Sequence, residues 1–139
     1  MHRVLMALMA AALAALAGGT ALPAPADPLS VEEFERLVTG RTLYYGIRGR
    51  AYGAEQYLPG RRVLWSFLDD HCEEGRYYQD GQAICFVYDT LPEPQCWIFE
   101  AFEDGRIGAR YVAPNGALAV IEVERAEEPL SCPGPEPSV

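Results

Sequence analysis

The sequence predicts a mainly β domain, an eight-stranded antiparallel up-and-down meander or small barrel with one short N-terminal helix. Three observations carry this. Short runs rich in Tyr, Val, Ile and Thr follow one another from Thr42 to Glu124, as strand sequences do. Turn dipeptides punctuate them at Pro59-Gly60, Asp80-Gly81, Asp104-Gly105 and Asn115-Gly116. A single helical signal precedes them, between Ser30 and Gly40.

Residues 1–26 read as a secretory signal peptide. His2 and Arg3 form a polar start, Val4 to Ala17 is an unbroken apolar run, and Ala24-Pro25-Ala26 offers a small-x-small cleavage pattern. Ala15-Leu16-Ala17 is an earlier alternative site. The run is shorter than the ~20 residues of a membrane span, so no stable membrane anchor is expected after cleavage. Removing 26 residues from 139 leaves 113. That is one domain, read as 27–128, followed by a Pro-rich tail at 129–139.

Ser30 begins the helix. Glu33 stands three residues on, where it completes a capping box, and Leu29 and Phe34 occupy the staple positions. Leu37 and Val38 continue the apolar face and Gly40 ends it, so the helix is expected over Val31–Thr39. Eight strands are then expected at Thr42–Ile47, Ala54–Leu58, Arg62–Phe67, Arg76–Gln79, Gln82–Tyr88, Gln95–Glu103, Arg106–Val112 and Ala117–Glu124. Pro59-Gly60 fits a type II turn, and the Asp-Gly and Asn-Gly pairs fit two-residue hairpins. Eight is also the strand count that closes a small barrel. A twisted open sheet, or two packed sheets with the helix on one face, is the alternative.

Cys72, Cys85, Cys96 and Cys132 all follow the leader, and an even count in a small exported chain reads as two disulfides. Their spacing lacks the close pairs of a zinc site. The hairpin of residues 82–102 selects a pairing. If opposed residues sum to an odd number, Ile84, Phe86, Tyr88, Trp97, Phe99 and Ala101 share one face, and Cys85 meets Cys96 on the other. Opposed Cβ atoms lie about 4.5–5.5 Å apart, near bridging range. Cys72–Cys132 follows by elimination and pins the tail.

All 11 basic residues are arginine, a composition expected of a GC-rich bacterial genome, and the destination is then the periplasm or the medium. The mature chain carries ten Arg against 20 acids, so it should repel nucleic acid. The charge is segregated. Residues 41–62 hold Arg41, Arg48, Arg50, Arg61 and Arg62 against Glu55 alone. With Tyr44, Tyr45, Tyr52, Tyr57 and Trp65 nearby, Arg48, Arg50, Arg61 and Arg62 form a candidate patch for an anionic ligand or an acidic partner. Ordinary surface Arg on the first strands is the plainer explanation. Asp69-Asp70-His71-Cys72-Glu73-Glu74 is an acidic loop without the alternating spacing that aims oxygens at calcium, so no metal is assigned.

Catalytic signatures are missing. His71 is the single His after the leader, and no G-x-S-x-G, H-E-x-x-H, P-loop or dinucleotide fingerprint occurs, so neither a cofactor nor a catalytic residue is assigned. The expected function is that of a non-enzymatic binding protein whose partner is an unknown protein or a small ligand. A lipocalin-like carrier of a small apolar or anionic ligand is the alternative, and a small periplasmic hydrolase is a distant third; Ser66 and His71 are near in sequence, but nothing supplies an orienting acid or an oxyanion hole.

Four segments add a loose resemblance. Gly40-Arg41-Thr42, Tyr57 to Gly60, Gly75-Arg76-Tyr77-Tyr78 and Ile84-Cys85-Phe86 resemble a pattern in small exported proteobacterial proteins of unknown function. These look like lipocalin-type or related β-meander domains. The resemblance implies a meander behind a leader and carries over no catalytic residue.

Overall fold

The computed structural model describes residues 18–19, 26–114 and 118–132. The expected signal peptide and the Asn115-Gly116 turn therefore fall outside the described residues, but for Gly18, Gly19 and Ala26 of the leader. The elements are α1 (Val31–Val38), β1 (Thr42–Ile47), β2 (Arg50–Leu58), β3 (Arg62–Ser66), β4 (Glu73–Asp80), β5 (Ala83–Tyr88), β6 (Gln95–Ala101), β7 (Ile107–Tyr111) and β8 (Ala119–Ala126). Each strand pairs antiparallel with the next, and β1 also pairs with β8, so the meander closes into a barrel. Closure leaves no unpaired edge to template aggregation.

The helix forms as its termini dictate. The Ser30 hydroxyl accepts the Glu33 N–H at 3.2 Å, and the Glu33 carboxylate accepts the Ser30 N–H at 2.9 Å. These contacts hold the Glu33 carboxyl below the usual carboxylate range. Gly40, at φ +81°, turns the chain into β1. Phe34 is fully buried, with its ring 4.4 Å from Phe99, 5.4 Å from Tyr57 and 5.5 Å from Tyr77 between centroids. The helix thereby plugs one end of the barrel. Hydrogen bonds from Leu29 N–H to the Phe99 carbonyl and from Val31 N–H to the Gln79 side chain tether it there, each at 2.8 Å.

Several turns differ from expectation. β2 begins at Arg50, not Ala54, because Arg48 and Gly49 take φ +52° and +77° and form a two-residue hairpin turn. In the next turn Gly60 is left-handed as expected, but Arg61 is too, at φ +57°, so three residues separate the paired Leu58 and Arg62. Asp80 pairs with Ala83, which moves the two-residue loop to Gly81-Gln82. Asp104-Gly105 sits in a longer turn. Gly105 N–H donates to the Phe102 carbonyl at 3.0 Å, and Phe102 N–H donates to the Arg106 carbonyl at 2.8 Å. That is a β-turn followed by a left-handed glycine at φ +85°. β4 begins at Glu73, three residues before the expected start.

Strand alternation separates the two surfaces. Leu43, Tyr57, Val63, Ile84, Phe86, Phe99 and Ile107 point inward and are buried. Arg62, Glu74, Arg76, Arg110 and Glu124 are exposed on the outside. A membrane barrel shows the reverse, an apolar outside around a polar lumen.

A candidate ligand pocket at the open end of the barrel

With α1 sealing one end, the opposite end is ringed by the Arg48-Gly49 turn, the loop after β3 and the loop after β5. A cavity of about 160 Å³ opens there. Nine aromatic side chains line it, among them Tyr52, Trp65, Phe67, Tyr88 and Trp97. Glu55 and Glu73, two acidic residues, also line it, and among the described residues its lining includes no Lys, Arg or His.

Register explains how these residues meet. Glu55 lies opposite Leu43 on β1 and Trp65 on β3, and Trp65 lies opposite Glu73 on β4. Gly53, two residues before Glu55, has no side chain, and Trp65 fills that space. An ideal Cβ on Gly53 would stand 2.3 Å from the Trp65 ring. Phe67 and Tyr52 then meet edge to face with centroids 5.6 Å apart. Together these rings form the pocket wall nearest the mouth.

The floor is polar and buried. Glu55 is 1% exposed, and the Tyr88 hydroxyl donates to its two carboxylate oxygens at 3.0 and 3.2 Å. The Tyr45 and Tyr57 hydroxyls share a second hydrogen bond of 2.7 Å. Burial disfavours a charge here and pushes the Glu55 carboxyl well above the usual carboxylate range, an effect that the Tyr88 hydrogen bond partly offsets. The same burial raises the Tyr57 and Tyr88 phenols. The other buried acid is satisfied differently. Glu122 accepts two hydrogen bonds of 2.7 Å from Arg125 and one of 2.9 Å from Ile107 N–H.

The mouth exposes apolar surface. Phe67 is 53% exposed, Leu68 45% and Leu91 43%. Leu68 and Asp70, neither of them glycine, hold left-handed backbone at φ +64° and +66°. The Ser66 hydroxyl accepts the Leu68 N–H at 3.0 Å, and the Asp69 carboxylate accepts the His71 N–H at 3.2 Å. Cys72 at the end of this loop is bonded to Cys132. The second disulfide joins Cys85 to Cys96, directly opposed on β5 and β6. Two disulfides suit an oxidising, extracytoplasmic compartment.

The proposed arginine patch is not brought together. Arg48 lies in the turn at the open end and Arg50 follows it. Arg61 stands at the far end of β2, a nine-residue strand of about 26 Å. There its guanidinium donates to Glu35 at 2.9 Å and approaches Glu32 at 3.8 Å. Arg62 lies on the outer surface in a shallow groove shared with Glu74, Arg76 and Asp89. Tyr44 belongs to the outer face of β1, whereas Tyr57 and Trp65 turn into the barrel. The acidic loop also diverges: Glu73 lines the cavity, where the Thr90 hydroxyl donates to it, and Glu74 faces out. The described residues contain no group of three or more potential metal ligands.

Sequence reasoning named Trp65 and Tyr57 but missed Glu55, counting it only as the lone acid among arginines. The available signal was parity: Glu55 shares the alternation of Gly53 and Tyr57, a face with no exposed polar company. No family model, no curated protein and no solved structure matches this chain.

Proposed function

We infer that the protein is a non-enzymatic binding protein of the periplasm or the extracellular medium, and that its binding site is the open end of the barrel. The observation that supports this is an aromatic-lined cavity open at one end and sealed at the other by α1. Small eight-stranded barrels that bind ligands hold them in this position.

Size restricts the cargo. The cavity is about 160 Å³, below the ~300 Å³ of an ordinary ligand pocket. An apolar cavity of ~150 Å³ holds one benzene molecule. The fitting ligand is therefore ring-sized, with any extension leaving through the mouth. Two carboxyl groups and no cation in the lining favour a neutral or cationic ligand over an anionic one. A second reading, a protein partner seated on the mouth, is favoured by the exposure of Phe67, Leu68 and Leu91.

Tryptophan fluorescence tests the first reading, because Trp65 and Trp97 both line the cavity. Titration with phenol, benzyl alcohol and benzylamine should give saturable changes with at least one of them, and Trp65→Ala should weaken it tenfold or more. Absence of saturation with all three contradicts the small-ligand reading and leaves the protein-partner reading.

A further inference from the structure

We propose that the pocket selects a small organic amine in its protonated form, with the ammonium against the Glu55 carboxylate and the apolar body between the aromatic walls. This rests on the small-ligand reading above and adds the ligand's charge class.

The composition of the lining is the first argument. An ammonium requires acceptors and tolerates aromatic faces, whose negative quadrupole attracts it. The pocket supplies both: its lining holds nine aromatic residues and two acids, with no competing cation among the described residues. An anion would meet only like charge there.

The placement of Glu55 is the second. Glu55 is a lining residue of the cavity, and among the described residues its one side-chain hydrogen-bond partner is the Tyr88 hydroxyl. A carboxylate has about four acceptor positions, and one phenol leaves most of them open. Without a cation the buried carboxyl avoids an unpaired charge by keeping its proton, and a cation bound beside it offsets the cost of ionising it.

The surroundings of Glu55 are the third. The titratable groups that interact with it or line the cavity beside it are Tyr45 on β1, Tyr52 and Tyr57 on β2, Glu73 and Tyr77 on β4 and Tyr88 on β5. Their uncharged or anionic forms do not neutralise a carboxylate. Two basic groups act on this set, and each is held by another acid: Arg125 on β8 acts on Tyr45 and is held by Glu122 at 2.7 Å, and Arg61 acts on Tyr77 and is held by Glu35 at 2.9 Å. Glu55 thus lacks the cation that Glu122 has. An alkylammonium entering from the mouth would play for Glu55 the part Arg125 plays for Glu122, and the proton that Glu55 carried would leave to solvent.

Three probes of one shape and different charge test this: benzylamine, benzyl alcohol and benzoate, titrated by calorimetry into the full mature chain. Benzylamine should bind at least tenfold tighter than benzyl alcohol, and benzoate should not bind. Glu55→Gln keeps the shape and an acceptor for Tyr88, and should erase the tenfold preference while benzyl alcohol still binds. A readout independent of any variant is proton release. Calorimetry of the unaltered protein in two buffers of different ionisation enthalpy should show protons released with benzylamine and none with benzyl alcohol. Equal or tighter binding of benzyl alcohol or benzoate overturns the amine proposal but keeps the pocket. So does a preference that survives Glu55→Gln. Failure of all three probes overturns the small-ligand reading itself.

Discussion

Glu55 is the residue on which the interior turns. Unfolded, its carboxyl titrates in the ordinary range near 4.5; folded, burial holds it well above that. Between the two values the folded chain retains a proton that the unfolded chain has released. Stability from this group is therefore complete at low pH and is lost as pH rises through the folded value. Glu55→Gln should remove that loss. Urea midpoints of variant and parent should diverge in the variant's favour from about pH 4.5 upward. A constant offset across pH would contradict the assignment. Gly53 is the second such position. Gly53→Ala drives a methyl into the Trp65 ring, and overpacking of this kind costs about 1–3 kcal/mol. Chemical denaturation reads the cost, and the Trp65 emission should shift. Neither residue stands out in the sequence. A Glu in a strand is ordinary, and its burial depends on which face of β2 turns inward, which is decided by pairings with β1 and β3.

At the scale of elements, legibility followed locality. The α1 cap was readable because Ser30 and Glu33 interact across three residues, with no help from the rest of the chain. The β5–β6 register was readable because one register gathers Phe86, Tyr88 and Phe99 inward and leaves Cys85 facing Cys96. Turn chemistry was readable in kind but not in register. Arg48-Gly49 and Arg61 adopt left-handed backbone at arginines, which no turn rule favours. The close approach of β1 and β2, and the Arg61–Glu35 ion pair at 2.9 Å, accompany those conformations. The helix is a structural plug. Phe34→Ala removes a fully buried ring from the sealed end and should destabilise the protein by about 3–5 kcal/mol in urea unfolding. Loss under 1 kcal/mol would mean that α1 is not integral to the core.

The whole molecule is a closed barrel with a charged outside, one end plugged and the other open. Strand count suggested closure, yet the β1–β8 pairing that makes it joins segments about 80 residues apart, which no local pattern encodes. The charge segregation in the sequence proved a poor guide to a site, because β2 places Arg50 and Arg61 at opposite ends of the molecule. Replacement of Arg48, Arg50 and Arg61 by Glu should accordingly leave the affinity for an uncharged probe such as benzyl alcohol within twofold of the parent. Loss of ligand binding on those substitutions would move the site from the cavity to the surface.

The most direct measurement of the central claim is a two-dimensional amide and indole NMR spectrum of the labelled mature chain, recorded with and without benzylamine. Occupation of the open end predicts that the indole signals of Trp65 and Trp97 and the amides of Tyr52, Phe67 and Tyr88 move together and saturate at one equivalent, while those of the Arg61 turn and α1 stay fixed. Shifts confined to the outer surface, or none with either benzylamine or benzyl alcohol, would contradict a binding site inside the barrel.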